Sequence, residues 1–327
     1  MININNLAPI VLFVYNRPNH TRKTIEALQK NHLAKDSILY IFADGAKTSA
    51  NDEQIASVQQ TREYIKTVSG FKEVVIEEAQ QNKGLANSVI YGVTKVINQY
   101  GKVIVVEDDI VTHRFFLQYM NDCLSAFTNR NDIYMIGGFN HNFEIPSTYS
   151  EHIYLTHRSC SWGWATWKNR WEKADWNVSG YIEISKSRKM QKKFNRGGKD
   201  NFPMLKMQME GKIDSWCIRW DYSMFINNAF CAIPIKSLVE NCGFDNSGTH
   251  CGFVRRNFTA PFPKEDTYYF KINSNLKFSK EIERKLVLFL DKKPETDTIM
   301  WKFRHYVAKI GLYNVCKKIK HIIIRFF

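Results

Sequence analysis

Glu107, Asp108 and Asp109 are three consecutive carboxylates at the end of the apolar run Val103-Ile104-Val105-Val106, and apolar sequence resumes at Ile110. A β-branched run of this length reads as a buried strand. Unpaired charge is costly to desolvate, so a strand that finishes in acid needs a cation nearby. A divalent metal is the leading candidate, because hard carboxylate oxygens suit Mg²⁺ or Mn²⁺. Such a metal would hold diphosphate oxygens and neutralise charge on a departing nucleotide. The plainer alternatives are a solvated turn, or acids at the start of a helix over residues 115–127.

Other segments offer further chemistry. Asp44-Gly45 closes a second apolar run and is either a ligand contact or a simple Asp-Gly turn. Asn82-Lys83-Gly84 precedes a helical stretch: Gly84 permits close backbone approach and Lys83 could meet phosphate, although a loop before a helix has the same composition. Trp162, Gly163 and Trp164 open a segment, 160–176, that holds five of the eight tryptophans. Flat indole faces suit sugar rings, but Trp167 and Trp171 can equally be the apolar face of a helix. Asp214 and Asp221 flank Trp216 and Trp220, and either could serve as a proton acceptor; Asp214 is preferred because it stands at a turn, where it could also cap a helix. Residues 241–251 carry two glycines, Asp245 and His250. Asp245 is a candidate contact and His250 a candidate ligand or structural histidine.

The elements that must position these groups alternate. Strands are predicted over 9–15, 37–43, 73–76 and 103–107, with helices following Pro18 and spanning about 51–68 and 84–100. That pattern predicts a mostly parallel sheet with helices on both faces. Ligands bind such sheets beyond the carboxyl ends of the strands. Tyr15-Asn16-Arg17, Asp44 and the three acids all follow strand ends, so one crevice could collect them.

Composition narrows the class. The 327 residues are 44% hydrophobic and 24% charged, as in globular proteins, with a formal net charge of +14. The basic excess favours nucleotides or anionic surfaces. Seven cysteines without a CxxC pair fit reduced thiols better than a disulfide framework or zinc site. No apolar run is long enough to span a bilayer. No basic segment followed by an apolar one marks a secretory leader, and a cytoplasmic location is expected.

Val105-Val106-Glu107-Asp108-Asp109-Ile110 with Phe115-Phe116-Leu117-Gln118-Tyr119, and Pro9-Ile10-Val11-Leu12-Phe13-Val14-Tyr15-Asn16-Arg17, resemble the glycosyltransferases of the GT-A fold. The likeness is to the N-acetylglucosaminyltransferase I branch and related bacterial polysaccharide transferases, over roughly residues 8–251. It implies a Rossmann-like mixed, mostly parallel sheet with a C-terminal helical extension. It implies a catalytic domain over 1–256, with a donor half to about 112 and an acceptor half beyond. By that resemblance Asp109 binds Mn²⁺ or Mg²⁺, supported by Glu107 and His250. Asp108 lies near the sugar or ribose, and Asp44 meets the base, favouring a UDP-linked donor. Tyr15, Asn16, Arg17, Lys83 and Gly84 complete the donor side, while Trp162, Gly163, Trp164 and Asp245 face the acceptor. Related enzymes place a base aspartate beside a tryptophan; Cys217 stands at that place here, which leaves Asp214 and Asp221. The implied reaction is sugar transfer with inversion.

Residues 257–297 read as a linker or wrapping segment. From Thr298 to Phe327 no acidic residue occurs, and the partly helical apolar spacing suits a basic amphipathic helix on the inner face of an anionic membrane. The expected acceptor is then a lipid-linked glycan of surface polysaccharide assembly. Two other readings are a nucleotidyltransferase, which would carry a Gly-rich basic loop after the first strand, and a non-enzymatic membrane or nucleic-acid binder. No recognition motif for nucleic acid is visible, and none is expected as a partner.

Overall fold

The computed structural model describes residues 6–243, 262–263 and 267–291. Two compact units divide the chain, Met1–Val287 and Leu288–Phe327, and the architecture below is that of the first. Its strands are β1 (Ile10–Val14), β2 (Ile38–Ala43), β3 (Glu73–Glu78), β4 (Lys102–Glu107), β5 (Ile110–Thr112), β6 (Ile133–Gly137), β7 (Ile153–Thr156), β8 (Trp164–Trp167), β9 (Phe230–Pro234) and β10 (Val239–Asn241). Its longer helices are α1 (Pro18–Gln29), α2 (Asp52–Ile65), α3 (Leu85–Tyr100) and α4 (Phe116–Ala126). The shorter α5 (Lys168–Trp171), α6 (Tyr181–Lys186), α7 (Arg188–Phe194), α8 (Asn201–Met209) and α9 (Trp216–Ile226) follow, and α10 (Lys280–Asp291) ends the described chain.

Eight strands form one sheet in the order β3-β2-β1-β4-β8-β6-β9-β7. β1 to β4 are mutually parallel, β8 runs against both its neighbours, and β6 pairs with β9 in parallel. The expected mixed, mostly parallel sheet flanked by helices is therefore present. Every residue of β1 is buried, as a strand covered on both faces requires. Side-chain alternation divides the packing. Ile10, Leu12, Ile104 and Val106 join Ile25 and Leu28 of α1 and Leu117 and Met120 of α4 in one core. Phe13 faces the other way, where a side chain at Gly92 of α3 would strike it.

Register sets the crevice. Phe13 lies opposite Glu107, and Val14 opposite Ala43. The ends of β1, β2 and β4 are thus level, and Arg17, Asp44 and Asp108 leave the sheet at one edge. β1 has β2 on one side and β4 on the other, so this edge is also the topological switch point.

In the antiparallel half the helical alternative for the tryptophan segment holds only in part. Trp164 and Trp167 belong to a strand, and only Lys168–Trp171 is helical. The cause is alternation: Ala165 and Trp167 enter the α4-side core, while Trp164 stacks on Trp171 and Trp216 at the opposite face. Within the segment expected to link or wrap, Phe270 and Leu276 are buried in the main core. The basic tail, 298–327, lies outside the described residues.

β5 and β10 form a separate two-stranded ribbon beside the acids, with Asn241 opposite Ile110. Asn31 fixes its position. Its amide donates to Ala27 O and to Thr112 Oγ1, both at 3.0 Å, and its oxygen accepts from Leu117 N at 3.0 Å. One buried amide thereby ties α1, β5 and α4 together. Asn31→Ala leaves the Leu117 N–H buried without its acceptor and should cost about 2–4 kcal/mol of stability. Urea unfolding checks this; a change within ~0.5 kcal/mol, the usual range for a surface substitution, would remove Asn31 as the tie.

Candidate functional site

Alternation at the end of β4 sends the first two acids to opposite faces. Glu107 receives a hydrogen bond from Trp216, at the start of α9. Asp108 meets Arg17, which precedes the first turn of α1; Pro18 at the helix start fixes that turn. Thr24, one and a half turns on, donates to the Asp108 carbonyl at 2.8 Å. Asp109 begins the turn into β5, and its carbonyl accepts from Cys242 N at 2.8 Å. Gly243 lies so close that a side chain there would displace the Asp109 carboxylate and crowd Arg17.

The cation at this strand end is a guanidinium. Arg17 Nη2 pairs with Asp108 Oδ1, Nε lies 3.3 Å from Asp108 Oδ2, and Nη1 lies 3.0 Å from Asp109 Oδ2. Burial works against charge on Arg17, but Asp108 and then Asp109 more than offset it, and its pKa rises. Burial also pushes Asp108 up to about 6 despite Arg17. Glu107 goes up to about 8, first by burial and then through Asp109 and Asp108, with Arg17 and Trp216 opposing.

Whether these residues suit a metal turns on Asp109. Its Oδ1 is buried with no hydrogen-bond partner among the described residues. Such an atom is costly unless something electropositive reaches it. No group of three or more His, Cys, Asp or Glu among the described residues could by itself hold a metal ion. The donor set therefore fits a cation that takes one or two protein oxygens and completes its shell elsewhere, as Mg²⁺ does with substrate phosphates and water. His250 and Asp245 lie outside the described residues.

Asp44 is placed at the crevice edge, but its carboxylate is occupied. Oδ1 accepts from Gly45 N at 2.9 Å and Lys83 N at 2.8 Å, and Oδ2 from Asn82 Nδ2 and Gly84 N, both at 3.0 Å. Those four bonds take the lone-pair directions that a base imide would need. Asp44 instead anchors the 82–84 loop, where Gly84 adopts φ +77°. The Lys83 ammonium sits over Tyr91, 4.0 Å from its ring centroid. The Tyr15 hydroxyl accepts from Lys47 N at 3.4 Å. Asn16 lies between Tyr15 and Arg17 in the same β1–α1 connection.

Across α9 lies a cavity of about 310 Å³, lined by residues that include His141, Arg158, Ser159, Trp162, Cys217 and Asp221. Trp162 packs edge-on against Phe139, also in its wall. Trp164 cannot contact an acceptor, because it is fully buried between Trp171 and Trp216. Gly163, at φ +61°, lets the chain pass against Phe116 and Val239; it serves packing.

The two base candidates differ sharply. Asp214 is exposed, pairs with Arg219 at 3.0 Å and does not line the cavity. Nor does it cap α9, since Ser215 takes that role. Asp221 is buried in the cavity wall and accepts from Ser159 N at 2.7 Å. Burial raises its pKa to about 6, opposed by nearby Arg158. Arg158 in turn makes two 2.8 Å bonds to Asp200. Burial holds His141 neutral, with its pKa lowered to about 3. Arg158, His141 and Asp200 were missed in the sequence. The only local signal was a cation two residues after a short apolar strand, Ile153–Thr156.

The fold and site together define an α/β protein with an acid-tipped crevice at a switch point and, beside it, a cavity whose largely apolar wall carries Arg158 and Asp221. No family model matches the chain, and no curated protein does. Among solved structures it is similar to mannosyltransferase PcManGT from Pyrobaculum calidifontis in complex with GDP-Man and Mn²⁺, at 8% identity over 52% of this chain and 47% of that one (TM-score 0.34). It is similar to S. aureus TarS at 10% identity, covering 71% and 36% (TM-score 0.37). A third is the bifunctional glycosyltransferase WbbM, at 11% identity, covering 42% and 23% (TM-score 0.24). The matched part is less than half of each of those chains, and likeness at this level places no activity on this one.

The Asp221 pKa has a signed consequence. Its folded value lies above the ordinary 3.8, so the folded state binds the proton more tightly. The carboxyl then favours the native state below about pH 4, and that contribution is lost as pH rises through about 6. Asp221→Asn should therefore gain stability relative to the parent by on the order of 2–3 kcal/mol between pH 4 and pH 7.5. Urea unfolding at the two pH values measures it; a pH-independent difference would show that Asp221 is not held in this way.

Proposed function

We propose that the chain is a metal-dependent glycosyltransferase that moves a sugar, with inversion, from a nucleotide-diphosphate donor to a glycan acceptor. The observation that carries this is the acid-tipped end of β4 at the switch point, where Asp109 presents a buried oxygen with no hydrogen-bond partner among the described residues. The sequence likeness to the N-acetylglucosaminyltransferase I branch, over β1 and β4, supports the same reading and favours a UDP donor carrying a hexose or N-acetylhexosamine. A nucleotidyltransferase is less favoured: three residues, Tyr15-Asn16-Arg17, connect β1 directly to α1, with no glycine among them.

Asp109 would hold Mn²⁺ or Mg²⁺, with Glu107 behind it and His250 as a further ligand. When bound, the metal would neutralise charge gathering on the departing diphosphate. Arg17, held by Asp108 and Asp109, would turn from the acids to phosphate. Asp108, released from that pair, faces the sugar or ribose. Asp44 contributes by shaping the 82–84 loop against the nucleotide.

Asp221 is the proposed base. It lies four residues after Cys217, hence on the same face of α9, and both line the cavity. The carboxylate missing at Cys217 is thus supplied one turn later. A pKa near 6 leaves it ionised at neutral pH yet more basic than an ordinary aspartate. Trp162 gives the acceptor sugar an apolar face to rest on. The acceptor is proposed to be lipid-linked, with residues 298–327 resting on the cytoplasmic face of a membrane. No described helix is long and apolar enough to cross one.

A screen of nucleotide-sugars for Mn²⁺-dependent protection against thermal unfolding identifies the donor, since a bound ligand raises stability by mass action. Asp109→Ala should abolish both that protection and turnover while remaining folded; full activity would remove the metal assignment. Asp221→Asn should lower kcat roughly 10²–10⁴-fold with donor protection intact. A larger loss at Asp214→Asn than at Asp221→Asn would return the role of base to Asp214.

A further inference from the structure

Residues 181–199 concentrate positive charge that the proposed reaction does not use: seven Lys and Arg against one acid, Glu183. In α7, Arg188, Lys189, Lys192 and Lys193 fall at helical spacing on one side, and Arg196 continues them into the next turn. All five are exposed, as is Lys186 on α6. The opposite side of α7 is seated: Phe194 is buried with Ile184, Leu205 and Tyr222, and Met190 packs against that cluster. Helix rotation is therefore fixed, and the basic stripe faces outward.

Aliphatic side chains border the stripe. Ile182, one turn before Lys186, is 60% exposed, and Ile226 is 45% exposed. Lys193 links the two regions, since its ammonium lies 5.6 Å from the Phe225 ring centroid and 3.2 Å from Asn228 Oδ1. A convex helix face spreads its cations and forms no socket for a single anion. Nucleic acid would be met by stacking aromatic rings, whereas the exposed apolar groups here are branched aliphatics. Dispersed cations beside such groups match the charge and the apolar edge of an anionic bilayer interface.

We propose that the outer face of α6 and α7 docks on an anionic phospholipid membrane, with its Lys and Arg meeting lipid phosphates and Ile182 and Ile226 entering the headgroup layer. This surface is distinct from the basic tail and does not depend on the enzymatic reading. Near an anionic surface each charge is worth roughly fivefold in binding, so K186E/K189E/K192E should lower partition of the full chain onto phosphatidylglycerol-containing vesicles roughly a hundredfold or more. Pure phosphatidylcholine vesicles should bind parent and variant equally weakly. The tail can also contribute, so a second readout uses the parent protein. Acetylation mapped by mass spectrometry should find Lys186, Lys189 and Lys192 shielded by anionic vesicles, while exposed Lys66, just after α2, stays reactive. Unshielded lysines would overturn the proposal, as would a folded triple variant that partitions like the parent. So would a variant that loses RNA binding but keeps its hold on vesicles.

Discussion

The fork of Arg17 against Asp108 and Asp109 is the constraint on which the rest of the crevice depends. Carboxylates at the end of a buried strand are tolerable only with a cation, and a buried ion left without its partner costs on the order of 3–5 kcal/mol. Arg17 follows β1 and the acids follow β4, so the pair forms only if these strands are neighbours with level ends. The parallel register from Ile10 opposite Ile104 to Phe13 opposite Glu107 provides that. Helix α1 must then start where Arg17 leaves the sheet, and Pro18 and the Thr24 bond to Asp108 O hold it there. Charge neutralisation, strand order and helix entry are in this sense one requirement.

The same acids bind the two halves of the unit. Strand alternation gives Glu107 to the α9 face and Asp108 to the α1 face, and the turn gives Asp109 to the β5–β10 ribbon. Trp216 reaches Glu107 from the start of α9 and stacks on Trp164 from β8. Cys242 and Gly243 arrive at Asp109 and Arg17 through the ribbon. A change at the acids is therefore in mechanical contact with the helix that lines the cavity. Trp216 is the link, since the residues on either side of it, Ser215 and Cys217, stand in the cavity wall.

The first half was legible because its signals are local. Continuous β-branched runs mark strands covered on both faces, and β1 to β4 with their helices appear where the alternating pattern put them. The antiparallel half hid itself for a physical reason. β7 and β8 are four residues each, and the tryptophans of β8 serve two faces, which mimics a helical apolar stripe. Site residues divide likewise. Arg17 and the acids could be read from strand ends, but Asp44 could not be assigned from position alone. Whether a carboxylate is free depends on who donates to it, and its four donors come from residues 45 and 82–84. A turn position favours Asp214 in sequence; burial, which that reading cannot see, leaves Asp214 exposed and Asp221 enclosed.

That last difference bears on chemistry. A base must be ionised before reaction and must accept a proton during it, so both an exposed, arginine-paired carboxylate and a buried isolated one are poor choices. Asp214 is of the first kind. Asp221 escapes the second because Arg158 stands near it while donating its own bonds to Asp200 and Asn201. Among the described residues Asp221 feels that cation without a direct ion pair, and its hydrogen bonds come from Ser159, through the backbone N–H at 2.7 Å and the side chain. The chain Asp200–Arg158–Asp221 thus tempers the carboxylate from a distance, and the rigid seat of Arg158 is what sets the balance.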